Sequence, residues 1–143
     1  MDHRLTFPPR ASVLTQLRVR VRALAVRMGA SVETGDRLAL VVDELVNNAV
    51  EHGAVYRQHG LDLALELHVA GDRTRIEFFD PEMPIEFVKE LARALSASAG
   101  GLPSLASERG RGLFLMSIYL DDLRVEVAPC GGLRLVGTVQ SHP

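Results

Sequence analysis

The sequence predicts a two-layer α/β sandwich, a mostly antiparallel sheet with its helices on one face. Three patterns carry that expectation. Residues 61–69 and 74–79 place apolar side chains at every second position, the period of strands with one buried side. Residues 123–127 and 133–139 repeat the alternation nearer the C-terminus. Two segments in the first half carry apolar residues at the three-and-four spacing of helices that also have one side to bury.

In chain order, a short lead containing Leu5 and Phe7 ends at Pro8-Pro9, and Ser12 is placed to cap a helix running to about Gly29. Leu14, Leu17, Val21, Leu24 and Met28 draw one stripe along it, flanked by Arg20 and Arg27 on one side and Arg18 and Arg22 on the other. The stripe suits a core helix, and its spacing also suits a helix set against a second copy or a partner. A second helix is expected from near Thr34 to His52-Gly53, where glycine offers a left-handed C-terminal cap. Its apolar side holds Leu38, Val41, Val42, Leu45 and Ala49.

Ala70-Gly71-Asp72 reads as a tight turn between the first two strands, and Pro129 to Gly132 joins the last two, so two hairpins make the sheet largely antiparallel. Between the hairpins the spacing predicts a short helix over 87–95, a loop rich in Ser, Ala and Gly, and a helix over 113–120. The 143 residues, 47% hydrophobic and 24% charged, suit one globular domain spanning 1–143.

Composition also excludes several function classes. No apolar run approaches the roughly 18 residues of a membrane span, and Met-Asp-His-Arg-Leu lacks the basic-then-apolar order of a signal peptide, so a cytoplasmic protein is expected. The lone Cys130 can form neither an internal disulfide nor a thiolate metal cluster. A formal net charge of −2 gives no reason to expect a nucleic-acid partner. His3, His52, His59, His68 and His142 follow no metal-binding spacing and read as surface or capping residues.

In the second helix Glu44, Asn47, Asn48 and Glu51 fall at i, i+3, i+4 and i+7, one polar stripe on a strongly apolar helix. Periodicity alone leaves two readings open, a solvated face or a site. The stretch from Asp43 to Gly53, Asp-Glu-Leu-Val-Asn-Asn-Ala-Val-Glu-His-Gly, resembles the N-box of the GHKL ATPases, and in particular that of the anti-sigma-factor serine-protein kinases. Gly110-Arg111-Gly112-Leu113 and the helix after it, ending near Asp121-Asp122, resemble the family's glycine box.

The resemblance implies the Bergerat ATP-binding fold, with ATP and Mg²⁺ as cofactors. It places the general base on Glu44 and the magnesium ligand on Asn48, a division consistent with the preference of Mg²⁺ for oxygen ligands and with proton transfer to a carboxylate one turn away. It gives Asp80 the adenine amino group and assigns Gly110, Arg111, Gly112 and Leu113 to a loop whose amides approach phosphate. Arg109, in the pair Glu108-Arg109, is matched to an arginine that reaches the terminal phosphate. The segment between Pro84 and Arg109 is expected to act as a lid.

The resemblance further implies a sigma factor and an anti-sigma-factor antagonist as partners, phosphorylation of an antagonist serine, and a homodimer. One departure stands out: the family's Asp-x-Gly is here Asp80-Pro81-Glu82, without the flexible residue that gives the base close backbone approach. That departure sustains a second reading, a protein that sequesters a regulator without catalysis.

Overall fold

The computed structural model describes residues 2–99, 116 and 118–139. Five strands form one sheet in the order β1-β2-β3-β5-β4, with β1 at Asp2–Phe7, β2 at Leu63–Ala70, β3 at Arg73–Asp80, β4 at Leu120–Val127 and β5 at Leu133–Val139. Every neighbouring pair is antiparallel. The main helices are α1 (Leu14–Arg27), α2 (Val32–Gly53) and α3 (Ile85–Ala99).

The alternation read from the sequence sets the register. Leu5 pairs with Leu65, Leu65 with Phe78, Phe78 with Leu135 and Leu135 with Val125, so one apolar row crosses all five strands. A slip of one residue in any strand would turn its members to the other face. Helix α2 packs on β3 and β5, α1 lies along α2, and α3 reaches β4. The α1 stripe is spent inside this chain: Leu17, Val21 and Leu24 are buried, while Val19 and Val26 face outward.

Both hairpins form, with left-handed Gly71 in the first turn and left-handed Gly131 and Gly132 in the second. The helix boundaries differ from expectation for local reasons. Residues 11–13 make a 3₁₀ turn, so Ser12 caps nothing and α1 begins after Val13 without a side-chain cap. Helix α2 starts earlier than expected because Ser31 Oγ accepts the Thr34 amide at 3.1 Å, satisfying a free first-turn donor. Gly53 remains inside α2, and Ala54, the C-cap, is right-handed; the expected left-handed glycine cap is absent.

The lead containing Leu5 and Phe7 is the edge strand β1, and α3 runs longer at both ends than the short helix expected. Half of the helix expected over 113–120 lies outside the described residues; Met116, Ile118 and Tyr119 are helical and Leu120 already opens β4.

The sheet face away from the helices is a ladder of charge. Arg4 pairs with Glu66, Arg134 pairs with Glu126, and Arg134 Nε donates to Glu77 Oε1 at 2.8 Å. His68 lies in this cluster, 2.6 Å from Glu77 and 3.0 Å from Asp2, rather than standing as an isolated surface residue. Burial pushes the Glu77 carboxyl up, but Arg134 and His68 outweigh it and hold Glu77 below the usual carboxylate range.

Candidate functional site

On α2, Leu45, Asn48, Ala49 and His52 succeed one another at i, i+3, i+4 and i+7, and together they wall a cavity of about 50 Å³. Phe78 and Asp80 of β3, Leu133 and Leu135 of β5 and Val125 of β4 form the sheet side; Leu91 of α3, Met83 and Met116 close it. Asn48, His52 and Asp80 are the only polar side chains in that lining among the described residues.

The polar stripe expected on α2 therefore divides. Asn48 faces the cavity, Glu44 and Asn47 line an adjoining groove with Asp43 and Tyr119, and Glu51 is exposed. Met116 borders both spaces. Arg18 Nη1 donates to Asp43 Oδ2 at 3.1 Å and ties α1 to the helix that carries the stripe.

Asp80 ends β3 fully buried. Its Oδ2 accepts from Tyr56 Oη and from Arg57 Nη2, each at 2.7 Å, and its Oδ1 accepts from Arg57 Nη1 and the Glu82 amide, each at 3.1 Å. Arg57 Nη2 also donates to the Ala49 carbonyl at 3.1 Å, back on α2. Burial works against the charged guanidinium, but the bond to Asp80 outweighs it and raises the Arg57 pKa.

The segment after α2 is fastened by Glu82. Its Oε2 accepts the amides of Gln58 and His59, each at 2.8 Å, and its Oε1 that of Leu61 at 2.7 Å. Desolvation raises this carboxyl, yet the three backbone donors and Arg57 bring it down to about 2. Glu82 thus holds residues 58–61 against the end of β3. The Tyr56 ring lies 5.5 Å from that of Phe87, linking the same segment to α3.

Two of these residues have roles that the sequence does not announce. His52 follows Asn48 by four residues and so shares its face; instead of capping the helix it lines the cavity, and its buried Nε2 has no hydrogen-bond partner among the described residues. Arg57 left no local signal, since its partner lies on another element. Arg109, Gly110, Arg111, Gly112 and Leu113 lie outside the described residues, as does the later part of the expected lid.

The Histidine kinase-like ATPase domain family matches residues 7–136, from the end of β1 into β5, and so includes Asn48 and Asp80. The chain belongs to that family. No curated protein is significantly similar to it in sequence. Among solved structures, this histidine kinase-like ATPase domain is similar to a chain of the SiaB-SiaC complex from Pseudomonas aeruginosa, at 15% identity and a TM-score of 0.71, over 94% of this chain and 88% of that one. It is also similar to the structure of the RsbU and RsbW domains of Rv1364c from Mycobacterium tuberculosis, at 17% identity and a TM-score of 0.59, over 98% of this chain but 32% of that one. At such identities the likeness is one of fold, and it agrees with the GHKL architecture expected from the sequence.

Family membership implies ATP. The donor set suits a polar ligand edge: an Asn48 amide, an orphaned His52 nitrogen and a buried carboxylate set in apolar walls. The cavity alone is smaller than the ~300 Å³ of ordinary small-molecule pockets, and the groove beside it that Glu44 and Asn47 line has about 310 Å³. Among the described residues no helix is long and apolar enough to cross a membrane.

Proposed function

We propose that this protein is an anti-sigma factor with serine-protein kinase activity, which binds Mg-ATP and phosphorylates a serine on an anti-sigma-factor antagonist in a partner-switching pathway. The observation that carries the proposal is the convergence of Asn48 and His52 from α2 with Asp80 from β3 on one apolar cavity, in a histidine kinase-like ATPase domain.

In this reading Asn48 holds Mg²⁺ through its amide oxygen, and Glu44, one turn earlier on the same helix, takes the proton of the incoming serine hydroxyl. Asp80 would receive the adenine amino group, Gly110, Arg111, Gly112 and Leu113 would hold phosphate, and Arg109 would stabilise charge on the terminal phosphate. Mg-ATP would supply the phosphoryl group, the serine oxygen bonding the terminal phosphorus as its bond to the bridging oxygen breaks and ADP leaves. Phosphate on the antagonist then weakens its complex by added charge and desolvation cost, which frees the anti-sigma factor to hold its sigma factor. The fold likeness to a chain solved in the SiaB-SiaC complex supports a protein partner. The protein acts in the cytoplasm as a single domain and pairs as a homodimer, for which the outward Val19 and Val26 of α1 offer apolar surface.

The test is phosphotransfer. Purified protein incubated with radiolabelled ATP, Mg²⁺ and a co-purifying small protein should label that protein on serine, and Glu44→Ala should abolish the label. Labelling that is unaffected by Glu44→Ala would remove Glu44 from the chemistry; no labelling would leave the second reading.

That second reading is a non-catalytic protein that sequesters a regulator. The occupation of Asp80 by Arg57 and Tyr56 favours it, because the carboxylate assigned to the base is engaged within the chain. Partner affinity that is the same with and without ATP would support it.

A further inference from the structure

The Asp80 carboxylate has no acceptor position left for an incoming donor. A carboxylate offers about four lone-pair sites, and Arg57 Nη1, the Glu82 amide, Arg57 Nη2 and Tyr56 Oη occupy those of Asp80. We infer that Arg57 gates the nucleotide site: its guanidinium holds the carboxylate that would receive the C6 amino group of adenine, so an adenine nucleotide binds only when the Arg57–Asp80 pair opens and frees Asp80 to select the base. The inference rests on the nucleotide-binding reading above.

Three features build the gate. The first is Gly53, where a Cβ would stand 2.4 Å from Arg57 Nη2, so only glycine leaves the guanidinium its path along the end of α2. The second is the Ala49 carbonyl, which accepts from the same Nη2 and fixes the plane of the fork. The third is Glu82, whose bonds to the amides of Gln58, His59 and Leu61 tie the segment following Arg57 to the end of β3. Asp80-Pro81-Glu82 thereby anchors the closed state.

Arg57 is 11% exposed and Asp80 0%, so water screens their attraction poorly and the closed pair dominates in the free protein. Apparent nucleotide affinity is then reduced in proportion to the open fraction. Opening rewards one base chemistry. In one and the same pose, the C6 amino group of adenine donates to the freed carboxylate, whereas the C6 keto oxygen of guanine sets an acceptor against an acceptor.

Titration calorimetry of ATP and of GTP, each with Mg²⁺, tests this on the wild type, Arg57→Met and Gly53→Ala. Arg57→Met removes the donors and keeps much of the bulk; Gly53→Ala keeps the charge and displaces it. Both variants should bind ATP about tenfold or more tightly than the wild type, while GTP changes by less than about threefold. Thermal melts identify a variant that does not fold, and the other then decides. Wild-type ATP binding with no gain in either folded variant overturns the gate and leaves the nucleotide site standing. An equal gain for ATP and GTP overturns the base preference. No binding of either nucleotide to any of the proteins overturns the site and its gate together.

Discussion

Gly132 lies flush on Asp80: a Cβ at position 132 would stand 2.4 Å from the Asp80 carbonyl oxygen and 2.7 Å from Pro81 Cα. Its φ of +84° is one that side chains other than glycine's rarely adopt. The β4–β5 turn thus presses on the strand end that presents the buried carboxylate, and Gly132→Ala should cost roughly 2–4 kcal/mol, from the backbone conformation and the overlap together. Urea unfolding measures this; a loss below about 0.5 kcal/mol, the range of ordinary surface substitutions, would contradict the packing described.

Glu82 predicts a pH dependence of defined sign. Its carboxyl is at about 2 in the folded chain against an ordinary 4.5, so the folded state holds its proton less tightly. The stabilisation is fully present above about 4.5 and is lost as pH falls from there towards about 2. Glu82→Gln should lower stability at neutral pH and flatten the acid limb of the stability profile, measured by thermal melts across that window. An acid limb identical to the wild type's would refute the role of the three backbone bonds.

Glu44 and Asn48 share α2 but look into adjoining spaces, which separates their predicted phenotypes. Glu44→Ala should leave Mg-ATP affinity within about threefold while phosphotransfer falls by about 10²-fold or more, the scale of a lost general base. Affinity and transfer falling in parallel would place Glu44 in binding instead.

Legibility followed the range of the interactions. The two hairpins and α2 were readable because their apolar periods are local and each is set by one buried face. Strand β1 was not: only Leu5 and Phe7 turn inward in a segment that also holds Asp2, His3 and Arg4, and its extended form depends on pairing with β2. Gly53 reads in the sequence as a helix end, yet in the structure it leaves space for Arg57. Asn48 and Asp80 could be named from motif and position, whereas the guanidinium lying on Asp80 joins residues 23 apart and is fixed by packing. Glu82, which reads in the sequence as a departure from the family, proves to be the clamp on the segment that follows Arg57.

In the proposed function, α2 and β3 build a magnesium-nucleotide site around Asn48. Calorimetric titration of ATP and ADP, with and without Mg²⁺, into the wild type and Asn48→Ala tests it most directly. Magnesium-dependent binding is expected, weakened by Asn48→Ala by about tenfold or more, the scale of a lost metal ligand or its support. Wild-type protein that binds no nucleotide under any of these conditions, or binding indifferent to both Mg²⁺ and Asn48, would contradict it.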